Sequence, residues 1–443
     1  MVSFTIPTQG AMVAPRIRFA RAPNQVFATP PTTGMNKPHS KGGRQGDLRG
    51  KRGFILTGIS GSHTLFHAFQ HSLLVLFPNI RATFALSNLQ TTSISAVQEA
   101  VAGLIDLPGG VAMDLFKRYW GLVMTLCMGG FGIGWLVVGT APGYLTVLSG
   151  IAIVAASSSL WHLPAMASLS NRFAERRGFA LSVYGVGGNL GEILGPATTG
   201  LLLGMLTWQA IIGSYALLPL LLMFPVHWAF RDIGDRQPGS PSAPERASLS
   251  EQLGYTRQMF RNSVLWGIIA VAGLRGMAFV AFTAVIALYA KDVLNLSDQA
   301  RGFYFSLLGL VPMIASPLLG HLSDRFGRKR VLVPNLLASG VLTLLMAWYG
   351  HLGAFPVLLP LMGVFLYSDQ PVLTAAALDV AGRRTTTTAI GFVSFSRLAL
   401  SAPSPVIAGW LYRPEAVHAA FYYIAGLFFL AACGLFLLPL RKG

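Results

Sequence analysis

The segment Gly320-His-Leu-Ser-Asp-Arg-Phe-Gly-Arg-Lys-Arg330 is a short cationic loop between two long apolar runs, and it is the first indication of how the chain is built. A weaker copy of this segment occurs earlier in the chain, where Gly110, Asp114, Phe116 and Arg118 stand for Gly320, Asp324, Phe326 and Arg328. A loop that occurs twice at corresponding places predicts a chain built from two similar halves.

The composition indicates a membrane protein. Of all residues, 53% are hydrophobic and only 11% are charged, and the mean hydropathy is +0.57. A soluble domain of this size needs more charge to cover its surface. The apolar residues also form blocks of about 20, the length that crosses a hydrocarbon core of roughly 30 Å.

Twelve such blocks predict an all-α membrane protein with twelve transmembrane helices in two pseudo-symmetric six-helix bundles. The blocks cover approximately residues 54–77, 91–113, 120–140, 143–169, 178–203, 205–229, 263–290, 302–322, 331–350, 354–381, 388–412 and 417–440. We therefore expect an N-terminal bundle over 54–230 and a C-terminal bundle over 263–443. The polar, proline-containing segment 231–262 is the expected linker between them.

The basic residues predict the orientation in the membrane. Lys and Arg concentrate in the N-terminal tail, the linker and the loops on their side, and only Arg81, Lys291, Arg301 and Arg413 lie opposite. By the positive-inside rule, we expect both termini to be cytoplasmic. We also expect a multi-pass protein of the cell's inner (plasma) membrane. The same rule explains the net charge of +17 without a nucleic-acid partner.

The N-terminal tail, residues 1–53, is basic and rich in Pro, Thr and Gly, so we expect it to be disordered. Two explanations of its composition stay open: a weak organellar transit signal, and translation that starts at Met35.

The two related loops are candidates for a cytoplasmic gate. Gly320 would allow a close helix approach, and Asp324 could pair with Arg325 or Arg328 and release them in another state. The alternative is that the cluster only anchors the topology. The predicted gating residues are Gly110, Asp114, Arg118, Gly320, Asp324, Arg325, Gly327 and Arg328.

The fifth block contains glycines at every fourth position, Gly187, Gly191 and Gly195, followed by Pro196 and Gly200. Such a face permits close helix contact and helix bending. Ordinary close packing is the alternative explanation, since small residues at this spacing are common in membranes.

An acid and a histidine stripe are the candidates for proton coupling. Glu192 lies at membrane depth in the fifth block, where an ionised carboxylate is expensive. His63, His67 and His71 recur at i, i+4 and i+8 in the first block and so share one helix face. We predict proton coupling by Glu192, His63 and His67. Packed polar side chains are the second interpretation and a metal site the third, because no acid or thiol lies near the stripe in sequence.

Substrate binding is predicted at four polar residues. Arg275 and Arg397 lie within apolar blocks, Asp369 could neutralise either of them, and the arginine left over would attract an anion. Gln70, beside the histidine stripe, completes the set. Of two further acids in the second block, Asp106 is expected near the gate, and Glu99 is a weaker coupling candidate.

Twelve spans in two halves, together with the segment Gly320–Arg330, resemble the major facilitator superfamily. Ser62-His63, His162, Val186–Gly191 and Leu194-Gly-Pro196 are similar to the fosmidomycin-resistance branch of its drug:proton antiporters. His67 stands where that resemblance leads us to expect an acid. The resemblance implies proton-driven efflux of a small polar or anionic molecule by alternating access.

Two other functions are compatible with the same sequence features. An uptake or exchange transporter for organic anions keeps the same fold, and a non-transporting membrane sensor is the alternative of another class. No Ser/His/Asp set, zinc spacing or nucleotide loop indicates an enzyme, and no cofactor or metal is predicted. Cys127 and Cys433 lie in apolar blocks and offer no disulfide framework. The expected partners are a small-molecule substrate, protons and the lipid bilayer, and we expect a monomer.

Overall fold

The computed structural model describes residues 48–234, 261–381, 395 and 399–439. The predicted disordered tail up to residue 47, most of the predicted linker and Arg397 lie outside these residues.

Within the described residues the chain forms twelve α-helices, and their order and positions agree with the twelve apolar blocks. They are α1 (Arg52–Phe84), α2 (Asn88–Leu115), α3 (Trp120–Gly139), α4 (Tyr144–Arg172), α5 (Arg177–Leu202), α6 (Trp208–Phe230), α7 (Ser263–Asp292), α8 (Asp298–Phe326), α9 (Arg328–Tyr349), α10 (Phe355–Ala381), α11 (Ser404–Leu411) and α12 (His418–Leu437). The predicted start of the eleventh span falls on residues outside the described part.

Eight of these helices are long and apolar enough to cross a membrane by length and composition alone, as searched over the described residues. Among the others are α1, α2 and α5, which carry histidines and acids, most of them half-buried, that lower their hydropathy. Polar residues at membrane depth usually face the interior of a bundle rather than lipid. The three less apolar helices are therefore the ones expected to line an internal site.

The α1–α2 and α7–α8 turns lie at one end of the molecule, called here the far end, and Gly320–Arg330 lies at the other, the near end. Three helices that start at the far end begin with a side-chain cap. Ser87 accepts from the backbone of Gln90 in a capping box, Thr207 accepts from Ala210, and Ser297 accepts from Ala300. These caps satisfy backbone N–H groups that have no partner within the helix.

The two bundles meet along two pairs of helices, α5 with α8 and α2 with α11. Small residues permit the approach. A Cβ added to Gly200 would lie 2.7 Å from the Asp298 carbonyl oxygen, and one added to Gly302 would lie 2.5 Å from the Pro196 carbonyl oxygen. Backbones can approach this closely only because the glycines carry no side chain.

At the far end an ion pair joins the bundles. Arg81 of α1 forms a two-pronged ion pair with Asp292 at the end of α7. Arg81 also donates to Asn88 at 2.9 Å, and Asn88 donates to the carbonyl oxygen of Tyr412 at 3.2 Å. The sequence had assigned Arg81 only to a loop facing away from the cytoplasm.

Arg301, which is fully buried, makes a second contact between the bundles at the far end. Its guanidinium donates to the carbonyl oxygen of Val75 at 2.8 Å and to Asn79 at 3.2 Å, both on α1, and it pairs with Asp298 on its own helix. Together the two arginines hold the far end of the interface closed.

Candidate functional site

Between the bundles lies a cavity of about 640 Å³. Its wall is formed by side chains of α1, α2, α4, α5, α7, α8 and α10, so both bundles contribute. A volume of this size suits a small molecule. The polar and charged residues of the wall include His67, Gln70, His71, Gln98, Glu99, Asp106, His162, Asn189, Glu192, Arg275 and Gln370.

A cluster of two histidines and one glutamate occupies one side of this wall. Glu192 Oε1 accepts a hydrogen bond from His67 Nδ1 at 3.1 Å and lies 3.5 Å from His71 Nε2. The fold thus brings together Glu192 and His67, which the sequence proposed separately. It adds His71, whose i+4 spacing from His67 was the available signal.

This cluster supplies an acid for a metal site, which was the third interpretation of the histidine stripe. The sequence shows no acid near the histidine stripe, but the packing of α5 on α1 places Glu192 beside it. In the described part of the chain, two groups have ligand atoms that all lie within 4.8 Å of one another: His67, His71 and Glu192, and His63, His67 and His162.

His63 lies behind the cavity wall and is buried. Its ring stacks on that of Tyr184 with centroids 3.8 Å apart, and its Nδ1 donates to the Tyr184 carbonyl oxygen at 2.7 Å. The ring of His67, which belongs to the cavity wall, lies 4.4 Å from the His63 ring, centroid to centroid. His63 is thus in contact with His67, another of the predicted coupling residues.

Tyr184 and His162 are functional candidates that were not among the site residues predicted from the sequence. The Tyr184 hydroxyl lies 2.6 Å from His162 Nδ1, and His162 is part of the cavity wall. In the sequence, His162 was named only for its resemblance to the fosmidomycin-resistance branch and was given no role. Nothing in the linear pattern of α5 marks Tyr184, because its role depends on the neighbouring helices.

Arg275 and Asp369 form a buried ion pair. The distances are 2.9 Å from Arg275 Nε to Asp369 Oδ2 and 2.6 Å from Nη2 to Oδ1, and the two side chains are only 3% and 1% exposed. Arg275 also donates to Gln370 at 3.3 Å and to the Leu366 carbonyl oxygen. Of the two arginines that Asp369 could neutralise, it therefore takes Arg275.

Gln70 lies in the cavity wall, as expected for a substrate-binding residue, and accepts from Ser158 at 3.1 Å. Asp106 also lies in the wall and accepts from Ser159 of α4. Because α2 continues as a helix through the glycines at 109 and 110 and ends only at Leu115, Asp106 lies one helical turn before Gly110, and its part in the gate stays a prediction.

The glycine face of α5 packs on α1. A Cβ at Gly187 would lie 2.5 Å from the Ser60 carbonyl oxygen, and those at Gly191 and Gly195 would collide with the backbone of Thr64 and Ala68. The glycine spacing of four residues matches the spacing of these carbonyls. The face therefore sets the short α1–α5 distance that joins Glu192 to the histidines, while helix bending at Gly191, Gly195, Pro196 and Gly200 stays a prediction.

The gate predicted around Asp324 is an ion-pair network of the C-terminal bundle. Arg328 pairs with Asp324, one turn earlier, and with Asp379 of α10 at 3.2 Å. Gly327 has a φ of +96°, a conformation that glycine adopts without strain, and it separates α8 from α9. Arg325 lies over the Phe326 ring at 5.4 Å.

The glycines of the two related loops do not make the close helix contacts that were expected of them. Among the described residues, a Cβ added at Gly110 or Gly320 would meet no atom within 4 Å. Arg118 is exposed, in a short 3-10 turn, and the side chain of Asp114 lies outside the described part. Among the described residues, these two glycines thus mark no close helix contact at the near end, whereas Arg81 and Asp292 join the bundles at the far end.

Comparisons with known proteins agree with this architecture. The family model described as Major Facilitator Superfamily matches residues 59–311 and 293–443. The chain is similar to the fosmidomycin resistance protein of Escherichia coli, at 23% identity over 345 residues covering 77% of this chain and 80% of that protein. It is also similar to a probable nitrate/nitrite antiporter of Thermus thermophilus, at 30% identity over 328 residues covering 69% of this chain and 70% of that protein.

Among solved structures, a bacterial homologue of the human lysosomal transporter Spinster, in an inward-facing and occupied conformation, has the same fold. The TM-score is 0.71 at 15% identity, over 87% of this chain and 96% of the other. Fold, central cavity and family model agree. The chain therefore belongs to the Major Facilitator Superfamily and is a membrane transporter of the secondary-transport kind.

Proposed function

We propose that the protein is a proton-coupled secondary active transporter that exports a small polar or anionic molecule by alternating access. The observation that carries this proposal is the contact of Glu192 with His67 and His71 in the wall of a cavity between two bundles. A carboxylate at membrane depth that is held by histidines can exchange a proton without being left as an uncompensated charge.

The position of Glu192 links its charge to the interface between the bundles. A Cβ added to Gly309 of α8 would lie 3.1 Å from the Glu192 Cβ, so α8 packs directly on this residue. When Glu192 gains a proton, its attraction to the histidines weakens. The side chain then shifts against α8, at the surface along which the bundles must move.

An anionic or polar substrate would be contacted in the opposite part of the wall. Arg275, which is 3% exposed and paired with Asp369, belongs to this part of the wall and donates to Gln370 beside it. The names of the two relatives add support, since one confers fosmidomycin resistance and the other is a probable nitrate/nitrite antiporter. In this proposal Arg275, Gln70 and, outside the described residues, Arg397 contact the substrate.

The gate and the topology belong to the same proposal. Release of Arg328 from Asp324 would let the near end close while the far-end pair of Arg81 and Asp292 opens. Both termini are cytoplasmic, the bundles span residues 54–230 and 263–443, and a monomer in the plasma membrane is the working unit.

The test is proton movement in sealed, everted vesicles. Luminal pH is followed with a fluorescent dye while phosphonates, carboxylates, nitrate and cationic dyes are added one at a time. We expect one class to release protons through the wild type and not through Glu192→Gln. The matched control is Glu175→Gln, the same substitution at an exposed acid away from the cavity, which should behave as the wild type.

The second candidate function is anion exchange without protons, favoured by the similarity to a nitrate/nitrite antiporter. It predicts that labelled anions exchange across the vesicle membrane while luminal pH stays constant. If this occurs, and Glu192→Gln exchanges as fast as the wild type, proton coupling at Glu192 is wrong.

A further inference from the structure

We propose that His67, His71 and Glu192 also form a binding site for a divalent transition-metal ion of the zinc class, open to the central cavity. The proposal goes beyond the transport function, because it concerns binding and is tested without transport.

The donor set selects the kind of ion. Two imidazole nitrogens and one carboxylate form the three-ligand set that protein zinc sites use when a fourth position stays open. Magnesium and calcium prefer shells made of oxygen atoms, whereas imidazole suits zinc, cobalt and nickel. The site should therefore favour Zn²⁺, Co²⁺ or Ni²⁺ over Mg²⁺ and Ca²⁺.

The distances match the size of such an ion. In tetrahedral zinc sites the bonds are about 2.0–2.1 Å long, which places neighbouring ligand atoms about 3.3 Å apart. Here Glu192 Oε1 lies 3.1 Å from His67 Nδ1 and 3.5 Å from His71 Nε2. All three ligand atoms lie within 4.8 Å of one another, so small side-chain rotations suffice.

The ligands are held by rigid elements. His67 and His71 are one turn apart on α1, and Glu192 is held against them because the glycines beside it, Gly191 and Gly195, pack on the α1 backbone. A site built across two packed helices loses little conformational freedom when it binds an ion.

Further imidazoles lie beside the ligands. The His63 ring lies 4.4 Å from that of His67, centroid to centroid. Because the Tyr184 carbonyl can only accept, His63 Nδ1 carries the proton and Nε2 carries the lone pair. A backbone carbonyl that fixes a histidine tautomer is the usual outer partner of a metal-binding histidine. His63, His67 and His162 thus offer a second donor set that shares His67.

The site is reached from the cavity. The side chains of His67, His71 and Glu192 are 25%, 23% and 12% exposed, and all three belong to the cavity wall. A fourth ligand position is therefore left to water or to an anion held in the cavity.

The experiment is a Co²⁺ titration of the full-length protein in detergent, purified with a histidine-free tag and followed by the visible absorption of the bound ion. Zn²⁺, Mg²⁺ and Ca²⁺ are then added as competitors. The variants are His71→Gln, Glu192→Gln and His162→Gln, and the matched control is His351→Gln, an exposed histidine outside the cavity. Size-exclusion profiles and thermal unfolding verify that each variant is folded.

We expect one Co²⁺ per chain, displaced by Zn²⁺ but not by Mg²⁺ or Ca²⁺. His71→Gln and Glu192→Gln should weaken binding by more than the roughly 10- to 100-fold that loss of an outer partner costs, and His351→Gln should leave it unchanged. No saturable binding to the wild type overturns the proposal, and so does a loss caused by His162→Gln but not by His71→Gln. Neither result bears on proton movement, so failure of the metal site is distinguishable from failure of the proposed transport function.

Discussion

The ion pair between Arg275 and Asp369 permits a quantitative test of what holds the C-terminal bundle together. Both side chains are almost completely buried, and Arg275 also donates to Gln370 and to a backbone carbonyl. In Asp369→Asn the shape is kept but the guanidinium loses its counter-charge. Breaking a buried pair from one side costs about 3–5 kcal/mol, because the remaining charge stays buried without compensation.

The double variant Arg275→Met, Asp369→Leu removes both charges and fills the volume with apolar atoms. Replacing a whole buried pair in this way is often neutral or stabilising, so we expect most of the loss to be recovered. The comparison pair is Arg49–Asp232, at 3.2 Å, in which the Asp232 side chain is 61% exposed. There, Asp232→Asn should cost less than about 1 kcal/mol.

The assay is denaturant unfolding of purified protein in detergent micelles, with the free energy of unfolding compared among wild type, single and double variants. Two results would refute the reasoning: Asp369→Asn within about 1 kcal/mol of the wild type, or a double variant no more stable than the single one. If the double variant regains stability but transports nothing, Arg275 also contacts the substrate.

Three further predictions concern the interfaces. Asp292→Asn removes the partner of Arg81, so the far end should open, and a thiol reagent added on that side should react faster with a cysteine that has been introduced into the cavity wall; an unchanged rate contradicts the role of this ion pair. Gly195→Leu should destabilise the protein by about 1–3 kcal/mol in denaturant unfolding, because the new side chain collides with α1. Gly213→Leu, where a Cβ meets no described atom within 4 Å, should not. Asp324→Asn, at a pair whose acid is 67% exposed, should change stability by less than about 1 kcal/mol but slow substrate transport; an unaltered transport rate argues for a topology anchor.

The helices were predictable because the membrane imposes a simple rule. A segment that crosses lipid must satisfy its own backbone hydrogen bonds and expose apolar side chains over about 20 residues, and both demands are visible in a linear sequence. The division of the chain into two bundles was predictable from the loop that occurs twice, around Asp114 and around Asp324. Gly327 was predicted only as a gating residue, and its positive φ was found in the structure.

The site was only partly predictable. Glu192 and the histidine stripe were identified because polar residues at membrane depth are rare, and the choice between the two arginines was left open. The partner of each group depends on which helix packs against which. The sequence therefore missed Tyr184.

The sequence alone determined the spans, the two bundles and the set of polar residues inside them, since each follows from local composition and spacing. Only the tertiary structure decided that Glu192 meets His67 and His71, that Asp369 neutralises Arg275, and that Arg81 and Asp292 close the far end. The physical reason is distance along the chain. These pairs join different helices, and their contacts exist only because glycine faces and helix ends bring those helices together.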